Sequence, residues 1–116
     1  MARAYDIVFY VDGRGRFPVL EFVAGLSEKE AQKCEAYIEL LSERGPTLST
    51  NYAKWVDADI WELRPEFGGT EFRLFYFTVL GDTIVMLHAI GKKTQRLARR
   101  DIDLARTRAE EVRPNE

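Results

Sequence analysis

The chain has 116 residues, 46% of them hydrophobic, enough for one globular core spanning residues 1–116 and too few for two. A single cysteine, Cys34, excludes an intramolecular disulfide and a multi-cysteine zinc site, and no secretory or membrane-spanning stretch is visible, so a cytoplasmic protein without membrane contact is expected. The net charge of −2 is uneven: residues 1–91 hold 9 Lys/Arg against 14 Asp/Glu and residues 92–116 hold 8 against 5, so only the C-terminal quarter favours a nucleic-acid partner.

Tyr5–Val11 is β-branched and aromatic and predicts a strand, broken by the glycine-rich turn Asp12–Arg16. Pro18 suits the first turn of a short helix, Val19–Ala24, closed by Gly25. Ser27 and Glu30 form a capping box, after which Ala31, Cys34, Ile38 and Leu41 share one helical face until Gly45-Pro46 stops the helix. In that pattern Cys34 reads as a buried thiol acting as a small hydrophobe.

Residues 47–59 carry the weakest pattern, and Asp57 and Asp59 read there as loop-ending or capping residues. The period then changes to two, predicting strands over Ile60–Arg64, Glu71–Leu80 and Thr83–Ile90. Gly68-Gly69 links the first two, and Gly81-Asp82 reads as a two-residue hairpin loop between the last two. A final helix is expected to begin between Leu97 and Arg100, with Ile102, Ala105, Ala109 and Val112 as its apolar stripe. The predicted order is β-α-α-β-β-β-α, an α+β domain with helices packed on one side of a twisted, mainly antiparallel sheet.

In the strand Glu71–Leu80, alternation sends Arg73, Phe75 and Phe77 one way and Phe72, Leu74 and Tyr76 the other. Both sets are largely apolar, which predicts a central strand. Arg73 either emerges at the strand's beginning or pairs with Glu62 or Glu71 at the sheet margin, and Arg64, ending its own strand, has the same two readings. Lys92 and Lys93 follow Gly91 where a buried strand runs out to solvent; alone they read equally as guards against aggregation. His88 is placed on the face of Met86 and Ile90 and reads as a core histidine rather than a base. Neither a metal-ligand cluster, nor a nucleophile elbow, nor a phosphate-binding glycine loop is present, so no cofactor or metal is expected.

If the three runs pair as neighbours, Arg64, Arg73, Lys92 and Lys93 converge on one patch suited to a phosphodiester. RNA fits such an inventory because its 2′-OH is an internal nucleophile. The protein then has to take a proton, stabilise the phosphorane and assist the leaving 5′-oxygen.

The words W-E-L-R (61–64), F-R-L-F-Y (72–76) and G-K-K-T-Q (91–95), in that order, resemble the RelE/HigB superfamily of type II toxin–antitoxin toxins and within it the phage-derived HigB-like branch. The resemblance runs from the opening strand to the final helix. It implies a RelE-like fold and a metal-independent mRNA interferase acting on the ribosome. It also implies an antitoxin partner with a helix-turn-helix domain, HigA-like, while self-association stays undetermined. It assigns Arg73 to the arginine thought to act on the scissile phosphate, Arg64 to a strand lysine and Lys93 to a catalytic arginine, with Lys92 beside it. Arg96, Arg99 and Arg106 become candidates for RNA contact; Arg99, Arg106 and Arg113 recur every seven residues, opposite the apolar stripe. The chain departs from the pattern at Glu62, where a lysine is usual, near Arg99, where a late tyrosine is usual, and at Arg96-Leu97-Ala98, where a proline is common. Two alternatives accompany the interferase reading: a ParE-like toxin that poisons gyrase, and an inactive phage-derived module that binds an antitoxin or nucleic acid.

Overall fold

A computed structural model describes residues 4–92 and 99–114, with Lys92 described by its backbone alone. Chain order is β1 (Asp6–Phe9), α1 (Pro18–Ala24), α2 (Glu28–Arg44), a 3₁₀ turn (Gly45–Thr47), β2 (Ala53–Asp57), β3 (Ile60–Leu63), β4 (Glu66–Phe67), β5 (Thr70–Val79), β6 (Thr83–Lys92) and α3 (Arg99–Val112). The sheet runs β1-β6-β5-β3-β2, with β4 pairing to β5. Only the β1–β6 contact is parallel, so the expectation of a mainly antiparallel sheet in an α+β domain holds.

Local chemistry explains the helices. Pro18 opens α1, where its missing N–H costs nothing. The Ser27 hydroxyl accepts from the Glu30 amide at 3.2 Å and the Glu30 carboxylate accepts from the Ser27 amide at 3.0 Å, so the capping box forms as read. Gly45 ends α2 with φ +52 while the Tyr5 ring packs where a Cβ would stand, so only glycine fits. None of the helices among the described residues is long and apolar enough to cross a membrane.

β5 is the central strand that its double-sided apolar pattern predicts, and the helices lie on both faces of the sheet rather than on one. Phe72, Leu74 and Tyr76 join Ile84, Met86, Leu63 and Ala53 beneath Val19 and Val23 of α1 and Cys34 and Leu41 of α2. Phe75 and Phe77 join Ile60, Val85, Leu87 and Tyr10 beneath Ala105 and Ala109 of α3. With two apolar faces to cover, a helix layer on one side alone would leave Phe75 and Phe77 in water. Burial pushes the Cys34 thiol up to about 11, in keeping with an inert thiol.

Three further corrections come from backbone irregularities. The weakly patterned stretch 47–59 contains strand β2; a register shift between Trp55 and Asp57 breaks the alternation that would have revealed it. The β5–β6 hairpin has three loop residues rather than two, Leu80 to Asp82, because Val79 pairs with Thr83 and consecutive positive φ angles fall on Leu80 and Gly81. Finally, β6 carries a bulge: Phe75 pairs with His88 and Tyr76 with Met86, which leaves Leu87 as an extra residue. The bulge turns His88 to the α3 face with Leu87 and Ile90, opposite Met86, and not onto Met86's face as strict alternation required.

Candidate functional site

Neighbouring strands bring Lys54, Arg64 and Arg73 to one end and one face of the sheet, and β6 ends beside them at Lys92. Glu62 pairs across strands with both Lys54 and Phe75, and Glu71 pairs with Lys92. Residues directly opposite each other share a face, so Lys54, Glu62, Arg64, Glu71 and Arg73 lie on the α3 side and Lys92 takes the register position opposite Glu71. The convergence of Arg64, Arg73 and the end of β6 is as the sequence predicts. Lys93 and Arg96 lie outside the described residues. Lys54 was missed because it belongs to β2, the strand hidden in the weakly patterned stretch.

Between the two readings of Arg73, the structure selects pairing. The residue is 2% exposed; its Nη1 lies 2.9 Å from Glu62 Oε2 and its Nη2 2.8 Å from Glu71 Oε1. Arg64 stands outside it, with Nε 3.7 Å from the same Glu62 oxygen and Nη2 3.7 Å from the same Glu71 oxygen. Each carboxylate is thus shared by two guanidinium groups. A charge in a strand buried on both faces has to be neutralised, because desolvating it alone costs several kcal/mol, roughly. Glu62 and Glu71 supply that neutralisation. Arg64 and Glu71 are the more open members of the cluster, and Lys54 is exposed beside them.

A second polar group fastens α3 over the β6 bulge. The His88 ring stacks on Phe75 with centroids 5.7 Å apart, and its Nε2 lies 2.9 Å from Asp101 Oδ1. Arg108 donates from Nη1 to the Leu87 carbonyl at 2.9 Å, and the same nitrogen is 3.5 Å from His88 Nδ1. This network fits a neutral imidazole that donates through Nε2 to the carboxylate. The Tyr10 hydroxyl donates to Glu111 at 2.7 Å, and Arg108 lies over the Tyr10 ring at 5.0 Å. His88 therefore has the structural role that the sequence favoured, though among partners the sequence did not place.

The α3 arginines do share a face, as their spacing of seven predicts, but that face flanks the apolar stripe and does not oppose it: it meets the β2–β3 turn, and Arg113 lies 5.1 Å over the ring of Phe77. Arg106 donates to Asp57 at 3.1 Å, Arg99 comes within 3.9 Å of the same oxygen, and Arg113 bonds Asp59 at 2.6 and 3.3 Å. Asp57 and Asp59 are thus ion-pair partners of the helix, and Arg113 holds the Asp59 carboxyl below the usual carboxylate range. Arg99 and Arg106 stay half-exposed or more and can still meet an anionic surface.

Two stability measurements follow. Arg73→Ala removes the closer cation of both carboxylates, leaving Arg64 at 3.7 Å, and is expected to cost about 3 kcal/mol in urea unfolding; a loss under about 1 kcal/mol would mean that water reaches the cluster as it reaches a surface pair. Burial lowers the His88 pKa below 6.5, only partly offset by Asp101. Below pH 6.5 the unfolded chain then binds a proton that the folded chain refuses, so stability falls as pH drops from 6.5 to the lowered folded pKa. The His88→Gln variant is expected to lose that slope in a pH series of thermal melts, and an unchanged slope would assign it elsewhere.

No curated protein matches the chain. A family model described as phage-derived protein Gp49-like (DUF891) matches residues 21–110, a span from α1 to α3 that includes every strand carrying the charged cluster. On that match, over most of its length, the chain belongs to the Gp49-like family of phage-derived proteins.

Proposed function

We propose that this protein is the toxin of a type II toxin–antitoxin pair and that it inhibits translation by cutting mRNA on the ribosome. Membership of the Gp49-like family, which is associated with RelE/HigB-like toxins, supports the toxin reading. The observation that carries the chemistry is the arrival of Lys54, Arg64, Arg73 and Lys92 at one end of the sheet from four neighbouring strands.

In this reading the RNA 2′-oxygen attacks phosphorus, the P–O5′ bond breaks, and the products end in a 2′,3′-cyclic phosphate and a 5′-hydroxyl. Arg64, at the open rim, donates to the charged phosphorane, and Lys93 assists the leaving oxygen. Glu71, the more open carboxylate, takes the 2′-hydroxyl proton, and Lys92 holds a neighbouring phosphate. Arg73 is a positioning residue: buried between Glu62 and Glu71, it fixes the carboxylates and does not meet RNA. The exposed cations of α3, Arg99 and Arg106, with Arg96 before it, steer the domain toward ribosomal RNA. A HigA-like antitoxin with a helix-turn-helix domain silences the toxin in the cytoplasm.

One observation favours a second reading, a binding module that does not cut: among the described residues two glutamates face the two arginines of the cluster, and Arg73 is buried between them.

Induced expression is expected to arrest growth, with relief on co-expression of the adjacent antitoxin gene. Arg64→Gln and Lys93→Ala should each remove the arrest and slow cleavage by about 10²-fold while the fold persists. Growth without arrest by a folded, abundant chain would establish the binding module, and arrest with intact mRNA and trapped gyrase–DNA complexes would establish a ParE-like poison.

A further inference from the structure

On the other face of the sheet, away from the charged cluster, α1, α2 and β1 enclose an open groove of about 710 Å³. Its floor is apolar: Ile7 and Phe9 of β1, Leu20 and Val23 of α1, Ala31 and Ile38 of α2. Leu20 is 43% exposed, so this lining reaches solvent. Among the described residues that line it, the charged ones are Glu28, Glu35 and Glu39.

Helical geometry accounts for the segregation. Cys34 and Leu41 turn to the core, while Glu28, Ala31, Glu35, Ile38 and Glu39 follow at spacings of three, four, three and one on the adjoining flank. The cations of α2, Lys29, Lys33 and Arg44, fall on its opposite flank, where Lys33 sits 5.7 Å from the Tyr37 ring centre. A solvated helix face ordinarily mixes its charges. Among the described residues, an apolar floor here meets a rim of one sign.

We propose that this groove receives an amphipathic helix of a protein partner, with leucine-like side chains on the floor and lysine or arginine against Glu28 and Glu35. An apolar groove between helices takes a helix through anchors at i, i+3, i+4 and i+7. The rim sets the sign of the flanking charge. Glu28 and Glu35 lie two turns apart, roughly 10 Å along α2, so the partner's cations recur at i and i+7. This binding surface does not depend on RNA cleavage. An occupant here leaves the Arg64 face open, because the two sites are on opposite faces of the sheet.

The test uses the full chain and a synthetic helical peptide of about 15 residues with leucines at i, i+3, i+4 and i+7 and lysines at i and i+7 on the flank. Titration by fluorescence anisotropy is expected to show binding that weakens as salt rises. The double variant Glu28→Lys/Glu35→Lys should weaken it about tenfold or more, and Ile38→Ser should weaken it without altering the salt slope. Circular dichroism and thermal melting confirm the fold of each variant; should the double variant not fold, Glu35→Gln and its reduced salt slope replace it. Equal binding of a peptide with glutamates in place of the lysines, or no response to the rim variants, would overturn the proposal. So would a dimer of this chain that the rim variants dissociate, since the occupant would then be a second copy. The rim variants are expected to retain the parent chain's effect on growth, so failure here and failure of the toxin reading are separable.

Discussion

A strand apolar on both faces constrains the rest of this molecule. From Phe72 to Phe77 every residue of β5 is buried. Phe72, Leu74 and Tyr76 require one cover and Phe75 and Phe77 another, so α1 and α2 go to one face and α3 to the other. The same burial governs Arg73. An unpaired guanidinium in that position would oppose folding, and Glu62 and Glu71 answer it from β3 and from β5 itself. The charged end of the sheet is therefore a consequence of packing before it is a site for any ligand, and substitution of Arg73 is expected to act first on stability.

Division of the helices between two faces also divides the charge. The α3 face holds Lys54, Arg64 and the arginines of α3, the last held by Asp57 and Asp59 on the β2–β3 turn. The α1–α2 face presents glutamates around an apolar floor. A net charge of −2 conceals this arrangement. A polyanion and a basic helix can thus be drawn to different sides of one small domain.

Wherever local chemistry decides, the sequence was legible. Ser27 and Glu30 marked the start of α2, Gly45-Pro46 its end, and the two apolar sets of β5 its central place. The convergence of Arg64, Arg73 and the end of β6 followed from strand pairing. What escaped depends on the backbone's third dimension. The bulge at Leu87 reversed His88, so its partners Asp101 and Arg108, on a helix more than ten residues away, could not be named. β2 was hidden because Trp55, Val56 and Asp57 break alternation at a register shift, and Lys54 was lost with it. Arg73 was legible only as a choice between solvent and pairing, and burial decided the choice.

In the proposed function, the cations gathered at one end of the sheet act on messenger RNA engaged by the ribosome. Mapping the 5′ ends of cellular mRNA after brief induction tests it most directly. New 5′-hydroxyl ends are expected inside translated frames, absent when initiation is blocked beforehand and absent from cells expressing Arg64→Gln. An unaltered 5′-end profile in cells whose growth the parent chain has arrested would contradict it.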